Sequence, residues 1–289
     1  MAVQKHAYLI MAHNNFYVLE KLLGLLDDPR NEIFIHIDKK TVDFDFRRFG
    51  ELCRHAPVRF VSNRVDVGWA MPSMVRAELE LFRLAAAHGP FGCYHLISGA
   101  DLPLKTQDQI HELCRDFTVN RLCYAQKLTE WDIYRLSRYH RLIPGNNKVS
   151  QRLNDCLTRL QIKLGVDRLA RRGMKPYKGG QWGSFSQAAV EHLLKNERKI
   201  RSMVRFSSCP DEVYKQVILI NDGFPVDPED WRYLVNVPPS PSPITFREGD
   251  FDTLIAQEDK VFARKFMADT DSKIVDMIYD HLMGKQQGV

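Results

Sequence analysis

The sequence predicts an α/β protein built on a mostly parallel sheet. Three observations carry this. Strand-type and helix-type runs alternate through the first hundred residues, the pattern of strand–helix–strand units. The strand-type runs are rich in β-branched and aromatic residues; Glu32–Asp38 (EIFIHID) holds three isoleucines and a phenylalanine. The chain of 289 residues is 44% hydrophobic and 27% charged, enough apolar residues for a sizeable core and too few charges for a disordered chain.

In chain order, Ala7–Ala12 is an apolar first strand and Asn15–Leu26 a helix with leucines at helical spacing. Glu32–Asp38 is the second strand and Val58–Ser62 a short third. Pro72–Ala87 is a long amphipathic helix opened by proline, which suits a first turn. Cys93–Ser98 is the fourth strand, ending in Gly99-Ala100-Asp101-Leu102-Pro103. Ligands of such sheets bind beyond the carboxyl ends of the strands, so His13, Asp38, the stretch Asn63 to Trp69, and Asp101 are site candidates.

Gln107–Phe117 reads as a helix and Arg121–Tyr124 as a strand. Glu130–His140 is aromatic and basic (Trp131, Tyr134, Arg135, Arg138, Tyr139, His140), a rim suited to a polyhydroxylated ligand. Ser150–Arg172 is a basic helix. Gly179–Ser186 (GGQWGSFS) is glycine-rich without the Lys-Ser/Thr of a phosphate loop, so it reads as a turn and strand where backbone approaches something closely. The helix Gln187–Arg201 follows. Ser207-Ser208-Cys209-Pro210-Asp211-Glu212 then turns into the apolar-periodic run Val213–Ile220, with proline in the first turn. Val237–Pro243 is an extended connector, and Ser272–Met283 closes the chain as a helix.

The net charge is +5, unevenly spread: from Arg138 to Lys178 there are eleven Lys/Arg against two acids, Asp155 and Asp167. Such a segment suits an anionic membrane surface or a phosphorylated substrate, or is simply a solvated helix face. No aromatic RNA motif or zinc finger accompanies it, so no nucleic-acid partner is expected. The six cysteines show neither CxxC pairs nor zinc-ligand spacing and read as buried or partly buried free thiols. The first strand follows soon after Met1, with no signal-peptide layout and no run long enough to span a bilayer. A cytoplasmic protein, peripheral at the inner face of the membrane, is therefore expected.

Asp211 and Glu212 stand where a helix dipole favours ionised carboxylates, and a carboxylate so placed can take a proton from a hydroxyl. First turns are also acidic in general, and spacing alone does not separate the two readings. Three Asp-x-Asp tripeptides occur (Asp43-Phe-Asp45, Asp250-Phe-Asp252, Asp269-Thr-Asp271), the pattern that suits Mg²⁺ or Mn²⁺. None follows the fourth strand, where such a pair would meet a diphosphate; no metal or other cofactor is expected. There is no GxSxG elbow. Cys209, at a helix mouth, is a weaker nucleophile candidate. A non-catalytic carbohydrate-binding or assembly protein would use the same aromatics without Glu212.

Seven stretches taken in order resemble the core-2/I-branching β-1,6-N-acetylglucosaminyltransferases and the related peptide O-xylosyltransferases: AYLIMAHNNFYVLEKLL (7–23), IFIHIDKK (33–40), GWAMPSMVRAEL (68–79), YHLISGADLPLKT (94–106), GGQWGSFSQAAVEHLL (179–194), SSCPDEVYKQVIL (207–219) and VFARKF (261–266). The resemblance implies a GT-A-like fold in a single domain, 1–289. Within it, 1–125 would bind the nucleotide sugar, 126–178 would be a variable, basic acceptor-side segment, and 179–289 would carry catalysis and the diphosphate site. It further implies an inverting, metal-independent transfer from a UDP-sugar, N-acetylglucosamine or xylose favoured, to a hydroxyl of a glycan or lipid-linked glycan. By the same resemblance Glu212 is the general base and Lys265 the diphosphate contact. His13, Asp38 and Trp69 lie at the nucleotide, and Trp231 and Tyr233 at the acceptor. The family's second diphosphate cation falls among prolines near Pro241 here; the nearby Arg247 is expected in its place, with Arg264 as the alternative. Asp101 at the donor and Arg138 at the acceptor complete the expected site. A membrane anchor and disulfides, present in animal members, have no counterpart, which points to a bacterial relative building a surface polysaccharide or lipid-linked glycan.

Overall fold

The computed structural model describes residues 4–140, 142, 148–238, 240 and 242–287. The chain runs β1 (His6–Ala12), α1 (Phe16–Leu26), β2 (Asn31–Ile37), α2 (Phe46–Gly50), β3 (Val58–Phe60), α3 (Pro72–Ala86), β4 (Cys93–Ser98), β5 (Asp101–Pro103), α4 (Gln107–Leu113), β6 (Asn120–Arg121), α5 (Glu130–Ser137) and α6 (Lys148–Lys163). There follow β7 (Gly183–Phe185), α7 (Gln187–Lys195), α8 (Glu197–Val204), α9 (Tyr214–Asn221), β8 (Val226–Asp227), β9 (Arg232–Tyr233), α10 (Phe251–Ile255), β10 (Phe262–Arg264) and α11 (Ser272–Gln287).

Seven strands form one sheet in the order β3-β2-β1-β4-β7-β6-β8. The β3-β2-β1-β4 half is parallel throughout, and β7 runs antiparallel to both β4 and β6. β1 and β2 are almost wholly buried, which is why their sequences read as near-continuous apolar runs: a parallel sheet is covered on both faces. Side-chain alternation divides β1 between two cores. Tyr8, Ile10 and Ala12 pack with α1 and α11, whereas Ala7 and Leu9 pack with α3, α7 and α9. Helix α1 alone buries six aliphatic side chains, at about 1.5–3 kcal/mol each for full burial. The expected α/β architecture on a mostly parallel sheet flanked by helices is the one observed.

The helix expected over 107–117 ends at Leu113 and the strand expected over 121–124 is Asn120–Arg121; three further elements depart more. The helix expected through Arg172 stops at Lys163. Gly165 takes a left-handed conformation (φ +59), Val166 N–H bonds Gln161 C=O, and Gly165 N–H bonds Ile162 C=O, a closure that uses up the last carbonyls. The single helix 187–201 is two, meeting at Asn196, which ends α7 and begins α8. The helix at Pro210 is also two pieces: Pro210–Glu212 is a 3₁₀ turn, Val213 leaves helical geometry (φ −128), and α9 starts at Tyr214. Asp211 is consequently not an open acid at a helix mouth. It is buried, and burial together with the nearby Glu78 charge pushes its carboxyl up to about 7.

Among the described residues every cysteine is a free thiol; Cys93 and Cys114 are buried, but Cys156 is exposed on α6 rather than partly buried as expected. No described helix is long and apolar enough to cross a membrane.

Candidate active site

The carboxyl ends of β1, β2 and β4 open into a cleft of about 440 Å³. A hydrogen-bonded stitch brings the far end of the chain to it. Asn15, just past β1, donates from its side chain to Phe266 C=O (2.7 Å) and accepts from Ala268 N–H (3.0 Å). Phe266 N–H also bonds Ala100 C=O (2.9 Å), beyond β4. β10 pairs antiparallel with β5, putting Arg264 opposite Asp101. Arg264 and Lys265 therefore line the same cleft as His13, Asp38 and Trp69.

Each lining group has a physical setting. Asp38 accepts from the Lys40 backbone N–H (2.9 Å) and lies 3.1 Å from the Lys40 ammonium. Burial works to raise its carboxyl, but these hydrogen bonds hold it below the ordinary range. Lys40 in turn donates to Asp66 and to Val67 C=O, both at 2.6 Å, fixing the loop that leads to Trp69. His36 Nε2 accepts from Val65 N–H (2.9 Å) on the same loop, so its proton sits on Nδ1. Burial lowers the His13 imidazole below its ordinary value, opposed by Asp38 and helped by the cations Lys40 and Arg264. Trp69 is 70% exposed at the mouth, an open aromatic face.

Arg264 donates to Asp101 (2.8 Å) and lies over the Trp182 ring, 4.8 Å from its centroid. Asp101 is wholly buried; its other oxygen accepts from Ser98 N–H (2.9 Å). Burial raises its carboxyl in spite of Arg264. Asp101 thus aims Arg264 from below and does not itself face the cleft. Among the described residues the Lys265 ammonium makes no ion pair or hydrogen bond, while Lys265 C=O is anchored by Phe246 N–H (3.0 Å).

Glu212 is not among the residues lining this cleft. It is half-buried on its 3₁₀ turn, between two segments that do line it. Cys209 N–H bonds Ala70 C=O (3.2 Å), next to Trp69, and Glu212 C=O accepts from Gly179 N–H (2.8 Å), two residues before Gln181. Its carboxylate lies 3.3 Å from Arg135. Gly179 is needed here for space: a Cβ would fall 1.7 Å from Cys123 O. The close backbone approach expected of the glycine-rich stretch is therefore present.

Four expected site residues lie elsewhere. Trp231 is a core side chain, 8% exposed, packed near Phe117 and beneath the Arg121 guanidinium. Tyr233 stacks on Phe246, at 5.8 Å between centroids. Arg138 is occupied by Val166 C=O and Ser137 Oγ. Arg247 is exposed beyond the cleft, at the start of the turn Glu248–Asp250, its backbone N–H bonded to Asp250 (2.7 Å). Pro241, where the second cation was sought, lies outside the described residues.

Sequence reasoning gave no role to Gln181, Trp182 or the buried group behind them. Gln181 donates to Glu78 (3.0 Å), which also accepts from Lys215 (2.6 Å) and Tyr214 (2.7 Å). The available signal was a glutamate on the apolar stripe of the amphipathic helix α3, among Val75, Leu79 and Phe82.

A family model described as Core-2/I-Branching enzyme matches residues 6–235. The chain belongs to this family. It is a glycosyltransferase, and its family implies a sugar donor and a glycan acceptor. Among solved structures, mouse xyloside xylosyltransferase 1 in its apo form matches at 10% identity over 90% of this chain and 96% of that one, with a TM-score of 0.38. A likeness of that size bears on neither substrate nor mechanism. A search of curated protein sequences gave no significant match.

Proposed function

We propose that this Core-2/I-branching family member transfers a sugar, N-acetylglucosamine or xylose favoured, from a UDP-sugar to a hydroxyl of a glycan or lipid-linked glycan, inverting the anomeric carbon without a metal ion. The observation that supports this most is the meeting of Arg264 and Lys265 with His13, Asp38 and Trp69 in one cleft. Trp69 offers a face for the uracil ring, and His13 and Asp38 offer polar contacts to the nucleoside. Arg264, aimed by Asp101 and braced on Trp182, joins Lys265 in meeting the diphosphate. These two cations can take the negative charge that builds on the leaving group, as a metal otherwise would. Among the described lining residues Asp38 is the only carboxylate, and it is already held by Lys40, a poor donor set for a hard divalent cation.

In the reaction the acceptor oxygen bonds to the anomeric carbon from the face opposite UDP. The bond from that carbon to the phosphate oxygen breaks, and its electron pair leaves with UDP. The acceptor proton passes to Glu212, whose neighbour Arg135 orients the carboxylate. Glu212→Gln is expected to lower transfer by roughly 10²–10⁴-fold while calorimetry finds UDP binding unchanged. Wild-type turnover in that variant rejects the base. Activity should survive EDTA, and a strict need for Mn²⁺ would reject the metal-free step.

A further inference from the structure

Helix α6 is turned inside out. Val149, Leu153, Cys156, Leu160 and Leu164 recur at intervals of four and three residues, which places them on one face. That face points to solvent: Val149 is 66% exposed, Leu153 48%, Leu160 50% and Leu164 67%, with Cys156 also exposed. The face against the protein is polar. Ser150, Thr158 and Gln161 are buried, and Gln161 bonds both Tyr139 N–H (2.8 Å) and Tyr139 C=O (3.0 Å). A helix serving only the interior of a water-soluble domain has the opposite arrangement. Along one flank of the stripe stand Arg152, Arg159 and Lys163, all exposed, against the single acid Asp155.

We infer that α6 docks this protein on an anionic bilayer surface, with the Leu153–Leu160 stripe entering the acyl boundary and Arg152, Arg159 and Lys163 meeting anionic headgroups. An apolar face edged by basic residues is the chemistry of helices that lie in a membrane interface. Charge argues against an antiparallel second copy as the occupant: that two-fold contact through this stripe would set the two basic flanks side by side. The docking requires nothing of the sugar-transfer step and stands apart from it.

The test is co-sedimentation of the full chain with phosphatidylcholine vesicles, with and without phosphatidylglycerol. Binding is expected only with phosphatidylglycerol, weakening as salt rises. Each basic side chain at such a surface changes the partition roughly five-fold, so Arg152→Gln with Arg159→Gln should weaken it roughly 25-fold. Leu153→Glu with Leu160→Glu should abolish binding while shifting the thermal midpoint little, because each side chain is already about half exposed. A polarity-sensitive dye on Cys156 should shift to the blue on adding the anionic vesicles. Failure of the wild type to bind them, or equal binding by the Leu153/Leu160 variant, overturns the inference. So does a dimer that the same variant dissolves into monomers without any lipid binding by the parent.

Discussion

Glu78→Gln is the most demanding test of the framework behind the cleft. Glu78 and Lys215 are both fully buried, 2.6 Å apart, on α3 and α9. The lysine also donates to Asp211 C=O at 3.0 Å and lies 4.3 Å from the centroid of the Tyr214 ring. The substitution keeps size and removes one charge, leaving an ammonium in the interior. Breaking a buried pair in this way costs about 3–5 kcal/mol. With about 2.1 cal/mol/K of unfolding entropy per residue, 289 residues give roughly 0.6 kcal/mol/K, so the midpoint should fall by about 5–8 °C. One partial relief is available. The Asp211 carboxyl, held up at about 7 by burial and in part by Glu78, ionises more readily once that charge is gone. The loss should therefore be smaller above neutral pH than below it. Glu78→Gln combined with Lys215→Met removes both charges and should recover most of the midpoint, since apolar replacement of a whole buried pair is often neutral or better. Differential scanning calorimetry decides. A drop below about 1 kcal/mol in the single variant, or a double variant as unstable as the two singles added together, refutes the reasoning.

Further outcomes follow from the cleft and from the buried histidines. Lys265→Met should weaken UDP binding by roughly 10- to 100-fold, the worth of a charge-assisted hydrogen bond, and leave uridine binding unchanged; equal loss for both ligands in calorimetry would remove Lys265 from the diphosphate. Acid should unfold the protein early, because burial lowers His6 to about 3 and His36 to about 4 while the unfolded chain titrates near 6.5. Between those values the unfolded state holds more protons, so the stability present above the unfolded value is lost as pH falls below it. At about pH 5.5 each histidine has cost about 1.4 kcal/mol, near 3 kcal/mol together. Denaturant titrations across that range check it, and a flat profile counts against both burials. In the folded protein His36 takes up a proton only near pH 4, which would break its bond to Val65 N–H, so donor binding by the folded chain should hold down to about that pH and fade there.

The parallel half of the sheet was legible because it is covered on both faces. β1, β2 and β4 announce themselves as apolar runs, and the rule for strand ends then points to His13, Asp38 and Trp69, all of which line the cleft. Legibility failed where a side chain's setting depends on a distant partner. Arg138 looks like a rim cation until Val166 C=O occupies it, and Trp231 looks like a sugar platform until Phe117 and Arg121 enclose it. α6 misled in another way: its composition says basic helix, while only the fold shows which face is turned outward.

The second cation shows the limit most clearly. Arg247 was favoured because it lies close in sequence to the prolines where a cation was sought, yet it stands outside the cleft, at the Glu248–Asp250 turn. Arg264 lines the cleft because β10 lies antiparallel on β5 in the register that sets it against Asp101, 163 residues earlier. That register is fixed by backbone bonds such as Phe266 N–H to Ala100 C=O, and backbone bonds carry no sequence signature. What the sequence does hold is the acid itself. A buried aspartate at a strand end needs a cation, and asking which arginine could reach Asp101 points to Arg264 more directly than nearness along the chain points to Arg247.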